Sequence, residues 1–248
     1  MKVIVVIPAR YSSSRFPGKP LIKLLGKPMI IWVAELSSKA VGKENVYIAT
    51  DDDQIQKTVI QKGYNVVMTS KNCLTGTDRL AEVAKKIEAD IYINVQGDEP
   101  LVDPTDIQKV IDLKKQYPND VINAYTKMEK DEDPQSLSKP KIIFTEDKRM
   151  VYISRQPLPG FKDPKYTSKV YYKQVCIYAF NREELIKFGN FGRKSKLEES
   201  EDIEIIRFLE WGKIIRLVET QPESLAVDTP NDVEKVENVL RGERYKPF

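Results

Sequence analysis

Three cations, Arg10, Arg15 and Lys19, fall within ten residues in the stretch VIPARYSSSRFPGKPL (residues 6–21). Ser12, Ser13, Ser14, Pro17 and Gly18 lie between them. Guanidinium and ammonium groups neutralise phosphate charge, and backbone N–H groups beside a glycine can approach phosphate oxygens closely. The stretch reads as a cradle for a polyphosphate, although it is neither GxGxxG nor the P-loop GxxxxGK[ST]. Its other reading is a solvated loop whose charges meet surface carboxylates.

Asp98, in NVQGDEP (94–100), follows a short apolar run and precedes a helical pattern. Mg²⁺ prefers carboxylate, phosphate and water oxygens and needs only one or two protein carboxylates. Asp98 is therefore a metal candidate; the alternative is that Asp98 or Glu99 caps the next helix. Asp228, in VDTPND (227–232), is open to the same pair of readings, as a second carboxylate near Asp98 or as a helix start. TGTDRL (75–80) offers two hydroxyls, a glycine and the Asp78/Arg79 pair, either for base and ribose recognition or as a capped helix. Within Asp51–Asp53, Asp51 is best placed for a polar role. Arg155 ends VYISR, where its fork suits a carboxylate or simply faces water.

The chain has 248 residues and no histidine. That excludes Ser-His-Asp and Cys-His catalysis and an imidazole base. Cys73 and Cys176 form no CxxC pair and read as small buried hydrophobes. With 40 Lys+Arg against 37 Asp+Glu, the net charge of +3 gives no reason to expect a nucleic-acid partner. The run Val3–Ile7 is too short for a signal-peptide core, and no stretch reaches the ~18 apolar residues of a membrane span. The expectation is a soluble, cytoplasmic protein.

The elements that must position these residues alternate. Val/Ile-rich runs at 3–7, 46–50, 65–69, 91–95 and 121–125 read as strands buried on both faces. Helical patterns at 28–40, 52–63, 78–89 and 104–116 lie between them. Such alternation predicts a mostly parallel, Rossmann-like α/β sheet with helices on both faces. Ligands of such sheets bind beyond the carboxyl ends of the strands, where the cationic loop, Asp51, TGTDRL and QGDEP all fall. Closely spaced strand patterns at 141–145, 150–155 and 171–180 predict a smaller β-containing insertion. A helix is expected at 199–212, strands at 214–219 and 224–227, and a terminal helix at 229–242. The core is read as 1–127 with 213–248, and the smaller region as 128–212.

The motifs, in this order, resemble the CMP-Kdo synthetases (3-deoxy-manno-octulosonate cytidylyltransferases). The likeness runs through IPARYSSSRFPGKPL, GKPMI, VYIATDD, VVMTS, TGTDRL, INVQGDEP, VYISRQPLP, CIYAF, LEESEDIEIIRFLEWG and AVDTPNDVEKV. It implies a nucleotidyltransferase fold and a homodimer contact on the smaller β-containing part. It implies that CTP and a 2-keto-3-deoxy sugar acid react, with Mg²⁺, to give a CMP-sugar and pyrophosphate, for lipopolysaccharide or surface-polysaccharide synthesis. By the same likeness, Pro8, Ala9, Arg10, Ser13, Arg15, Lys19, Asp51, Thr77, Asp78 and Arg79 attend CTP. Asp98 and Asp228 hold magnesium and act in catalysis with Arg10 and Lys19. Gln96, Arg155, Gln174 and Glu204 face the sugar acid.

The acceptor side departs from the family pattern. KHxGIYAY is KQVCIYAF here (173–180), so Gln174 replaces a histidine and Cys176 a glycine. LEQLR is IEIIR (203–207), with Ile205 for a glutamine, and a histidine usual before SGTDRL is absent from KNCLTGTDRL. These changes keep two alternatives open: a different sugar acid, non-sugar acid or phosphonate as acceptor, and a nucleotide-binding module without catalysis.

Overall fold

Runs of β-branched residues suit a pleated surface covered on both sides. The computed structural model describes residues 1–12, 16–166, 170–221, 225–227 and 229–242. Its strands are Val3–Ala9 (β1), Lys23–Leu24 (β2), Lys27–Pro28 (β3), Val46–Thr50 (β4), Asn65–Met68 (β5), Ile91–Val95 (β6), Val121–Lys127 (β7), Lys141–Phe144 (β8), Met150–Ser154 (β9), Tyr172–Phe180 (β10) and Ile215–Glu219 (β11). The helices are Met29–Val41 (α1), Asp53–Gln61 (α2), Gly76–Lys86 (α3), Pro104–Gln116 (α4), Arg182–Asn190 (α5), Lys196–Glu201 (α6), Ile206–Glu210 (α7) and Pro230–Leu240 (α8).

The main sheet runs β11-β7-β10-β6-β1-β4-β5, with β8 and β9 attached through β10. Neighbours β6, β1, β4 and β5 are parallel, as are β11 and β7, while β10 is antiparallel to both β6 and β7. The carboxyl ends of the parallel strands therefore share one edge. Alternation along β1 sorts the core into two layers. Ile4 and Val6 pack with Leu80 and Ala81 of α3, Leu185 and Phe188 of α5, and Phe208 of α7. Val5 and Ile7 pack with residues of α1, α2 and α4. A third cluster joins Leu24, Met29, Val227 and Val236, fixing α8 against the small β2–β3 hairpin. No helix among the described residues is long and apolar enough to cross a membrane.

Three expectations are corrected. The helix expected at 199–212 is two helices, because Asp202 takes a left-handed conformation at φ 51° between α6 and α7. Asp is among the residue types that tolerate this region. Residues 225–227 form no strand; Val227 is buried in the third cluster instead. The sheet is continuous across residues 127 and 128, since β10, from the segment read as the smaller region, runs between β6 and β7. Within that segment, β8 and β9 stand off the main path.

Candidate active site

Gly18 starts the positioning of Lys19. At φ 70° its backbone is left-handed, which glycine adopts without a Cβ clash. Its N–H donates to the Tyr11 carbonyl at 3.0 Å, and the Lys19 N–H to that of Phe16 at 3.2 Å. These bonds turn the backbone at 16–19, and the Lys19 side chain reaches the turn after β6. There Lys19 Nζ meets Asp98 Oδ2 at 2.6 Å. Arg10 is exposed at the end of β1. Its charge reaches Asp202, whose carboxyl is held below the usual range first by the Lys194 ammonium and further by Arg155 and Arg10. Ser13, Arg15 and Asp228 lie outside the described residues.

The turn after β6 needs glycine for space. A Cβ on Gly97 would stand 2.9 Å from the Pro8 carbonyl oxygen, so Gly97 lets the exits of β1 and β6 lie side by side. Gln96 and Asp98 flank this contact. The Val227 N–H donates to the Asp98 carbonyl at 3.0 Å, bringing the residue that precedes Asp228 to this turn.

The N-terminus of α3 closes the other side. Thr75 and Asp78 form a reciprocal capping box. The Thr77 N–H, an orphan donor of the first turn, gives its hydrogen to Glu204 Oε2 at 2.9 Å. Gln96 Nε2 lies 3.5 Å from Glu204 Oε1. A Cβ on Gly76 would lie 3.3 Å from both the Gln96 amide and the Pro8 ring. Pro8, Gly76, Thr77, Gln96 and Glu204 therefore converge, with Lys19 and Asp98 on the far side of Gly97. Burial pushes the Glu204 carboxyl above its usual range, against the Thr77 hydrogen bonds. Ala9 is buried at the end of β1.

Other expected residues are engaged with the protein itself. Arg79 is buried and donates to Thr69 Oγ1, to the Ser70 carbonyl and to Asp51 at 3.2 Å. It ties the exits of β4 and β5 to α3, while Asp52 caps α2. Arg155 donates to the carbonyls of Glu201 at 2.6 Å, Leu137 at 2.7 Å and Asp202 at 2.9 Å. It thereby holds the end of α6 and the break that lets Glu204 reach α3. Gln174 donates to Asn123 Oδ1 at 3.1 Å. Ile205 is 1% exposed and packs in the core, so this departure from the family pattern does not face the cleft.

Two groups at the site were not assigned from sequence. Arg207, fully buried, makes paired 2.6 Å bonds to Glu198 and a 3.3 Å contact to Asp78 Oδ1, fixing α7 to the first turn of α3. A lone cation inside the apolar run IIRFL was the available signal. Cys176 is half-buried; burial first, and then the negative charges of Glu99, Asp98 and Glu204, push its thiol pKa up.

A parallel-dominated sheet with Lys19 and Asp98 at its carboxyl edge defines the class, an α/β nucleotidyltransferase fold. A family model described as cytidylyltransferase matches residues 4–215. The chain is 41% identical to the 3-deoxy-manno-octulosonate cytidylyltransferase of Geobacter metallireducens over 95% of this chain and 96% of that protein. It is 40% identical to the 8-amino-3,8-dideoxy-manno-octulosonate cytidylyltransferase of Shewanella oneidensis, over 97% and 99%. A solved CMP:2-keto-3-deoxy-manno-octonic acid synthetase, in complex with CTP, superposes with TM-score 0.90 at 36% identity, covering 98% of this chain and all of that one. The chain belongs to the cytidylyltransferase family, on the branch of the CMP-Kdo synthetases.

Proposed function

We propose that the protein transfers CMP from CTP to 3-deoxy-manno-octulosonate or a close relative, such as its 8-amino form, and releases pyrophosphate. The observation that carries this reading is the Lys19–Asp98 pair beside the Gln96–Glu204–Thr77 cluster. It sets a cation for phosphate next to groups that hydrogen-bond hydroxyls. The acceptor's anomeric hydroxyl loses its proton to solvent and attacks the α-phosphorus of CTP as the bond to pyrophosphate breaks. Lys19 and Arg10 neutralise charge on the departing phosphates. Gln96 and Glu204 orient the acceptor.

Asp98 fits Mg²⁺ as a hard carboxylate whose side chain, paired with Lys19, is still 28% exposed. Asp228 remains its expected companion. No larger cage of carboxylates or thiols occurs among the described residues, and Mg²⁺ bound with a triphosphate needs none. When bound, the ion would neutralise triphosphate charge and acidify the attacking hydroxyl. A reaction that consumes CTP belongs in the cytoplasm, where nucleoside triphosphates are made. Leu137, Val151, Phe161 and Tyr166 are exposed apolar side chains on the smaller β-containing part. They support a homodimer contact there, which light scattering at twice 28.5 kDa checks.

The functional test is pyrophosphate release from CTP with each of the two sugar acids, with and without EDTA. Asp98→Ala and Lys19→Ala are each expected to lower turnover by at least ~100-fold, about 2.7 kcal/mol of barrier. Wild-type rates in either variant would overturn the site assignment.

A further inference from the structure

Asn94 is the residue of INVQGDEP to which nothing above gives a role. It is fully buried in β6, and neither Nδ2 nor Oδ1 of its amide has a hydrogen-bond partner. The same sheet shows what a satisfied interior amide looks like. Asn123 donates to the Val175 carbonyl at 2.9 Å and to that of Ile177 at 3.2 Å, and accepts from Gln174. Those bonds span the register shift of β10. Asn94 has no such task. Leaving a buried polar group unpaired costs stability, a cost that leucine, of similar size, would remove.

Its place in the fold is specific. Alternation along β6 puts Tyr92 and Asn94 on the face covered by α3, where Tyr92 packs with Leu80 and Ala81, and Gln96 follows just past the strand's end. Asn94 pairs in register with Val6 of β1 and Tyr178 of β10. It therefore lies two residues before Gln96, which reaches Glu204, and beside the buried Tyr178.

The chemistry of the orphan pair narrows the ligand. A group that satisfies both the amide N–H and the amide oxygen must accept and donate. A hydroxyl does both, a carboxylate only accepts and an ammonium only donates. We propose that Asn94 is an acceptor-side binding residue whose buried amide takes one O–H group on the face of β6 covered by α3, two residues before Gln96. That group is water in the free protein or a hydroxyl of the sugar acid in the complex. The assignment of this site to the acceptor rests on the function proposed above.

Two measurements test it. Asn94→Leu is expected to raise the acceptor KM at least tenfold while the CTP KM stays within twofold. An unchanged acceptor KM, or both constants rising together, overturns the proposal. Crystals of the wild-type protein that resolve water, free and soaked with the acid, are expected to show an oxygen within about 3.2 Å of both Asn94 Nδ2 and Oδ1. A water in the free crystals, or its replacement by a sugar oxygen in the soaked ones, tells the two sources apart. No oxygen in either overturns the proposal, also where Asn94→Leu does not fold. Failure of the functional reading looks different: wild-type protein then releases no pyrophosphate with either acid, and the crystals still decide for Asn94.

Discussion

Glu204 sits between two opposing influences. Burial disfavours its anion, while the Thr77 N–H at the start of α3 favours it. Burial prevails, so the carboxyl titrates above its ordinary 4.5. An acid shifted upward stabilises the folded state below its unfolded pKa and loses that contribution as pH rises through its folded pKa. Glu204→Gln keeps an acceptor for Thr77 and cannot ionise. Its stability relative to wild type is therefore expected to rise between about pH 4 and pH 8, read as urea midpoints; a constant difference would contradict the shift. Cys73 gives a second residue-level expectation. Its thiol donates to Glu82 Oε1 at 3.4 Å, and burial, followed by the Glu82 charge, pushes its pKa up to about 12. Roughly one thiol in ten thousand is then ionised at pH 8. Iodoacetamide is expected to label Cys73 far more slowly than free cysteine, and a free-cysteine rate would show that the turn before α3 opens.

At the scale of elements, the exits of β1 and β6 depend on the missing Cβ of Gly97. In Gly97→Ala that atom would press on the Pro8 carbonyl at 2.9 Å, and backbone on both sides must move. The expected cost is about 1–3 kcal/mol, seen in denaturant midpoints, together with a fall in turnover as Gln96 and Asp98 shift. Unchanged stability and turnover would mean that the two strand exits are not locked together. The same elements show what was legible in advance. Local signals act over a few residues, so the helical patterns at 78–89, 104–116 and 229–242 marked α3, α4 and α8, whose starts the structure fixes with the Thr75–Asp78 box, Pro104 and the Thr229–Asp232 box. Asn181 and Glu184 form the same kind of box at α5, a local helix start in a segment whose strand patterns dominate. The break between α6 and α7 was not legible, because the carbonyls it exposes are bound by Arg155, 46 residues away in sequence. The strand-end rule gathered Lys19, Thr77, Gln96 and Asp98 at one edge. It could not foresee that Arg79 and Arg155 would be held by carbonyls and hydroxyls of the protein, since those partners exist only once the chain is folded.

Across the whole molecule, the two helix layers must stay in register on opposite faces of the sheet for that edge to keep its shape. At the other end of the strands one buried ion pair joins them. Lys114 of α4 and Glu184 of α5 are each 1% exposed in their side chains and meet at 2.8 Å. Lys114 also donates to the Asp120 carbonyl just before β7, and Glu184 also receives Lys213 at 3.2 Å and the Asn181 N–H. Burial works against the Lys114 charge and pulls its pKa down, so the pair persists because each partner answers the other. Lys114→Met leaves the Glu184 anion buried, with Lys213 as its remaining cation partner among the described residues. That variant is expected to lose about 3–5 kcal/mol of stability in urea unfolding. Adding Glu184→Gln removes the stranded charge while leaving an oxygen for the Asn181 N–H, and is expected to restore most of the loss. Equal losses in the single and double variants would instead assign the junction to the Lys114 bond with the Asp120 carbonyl, and the ion pair would then not be what couples the two layers.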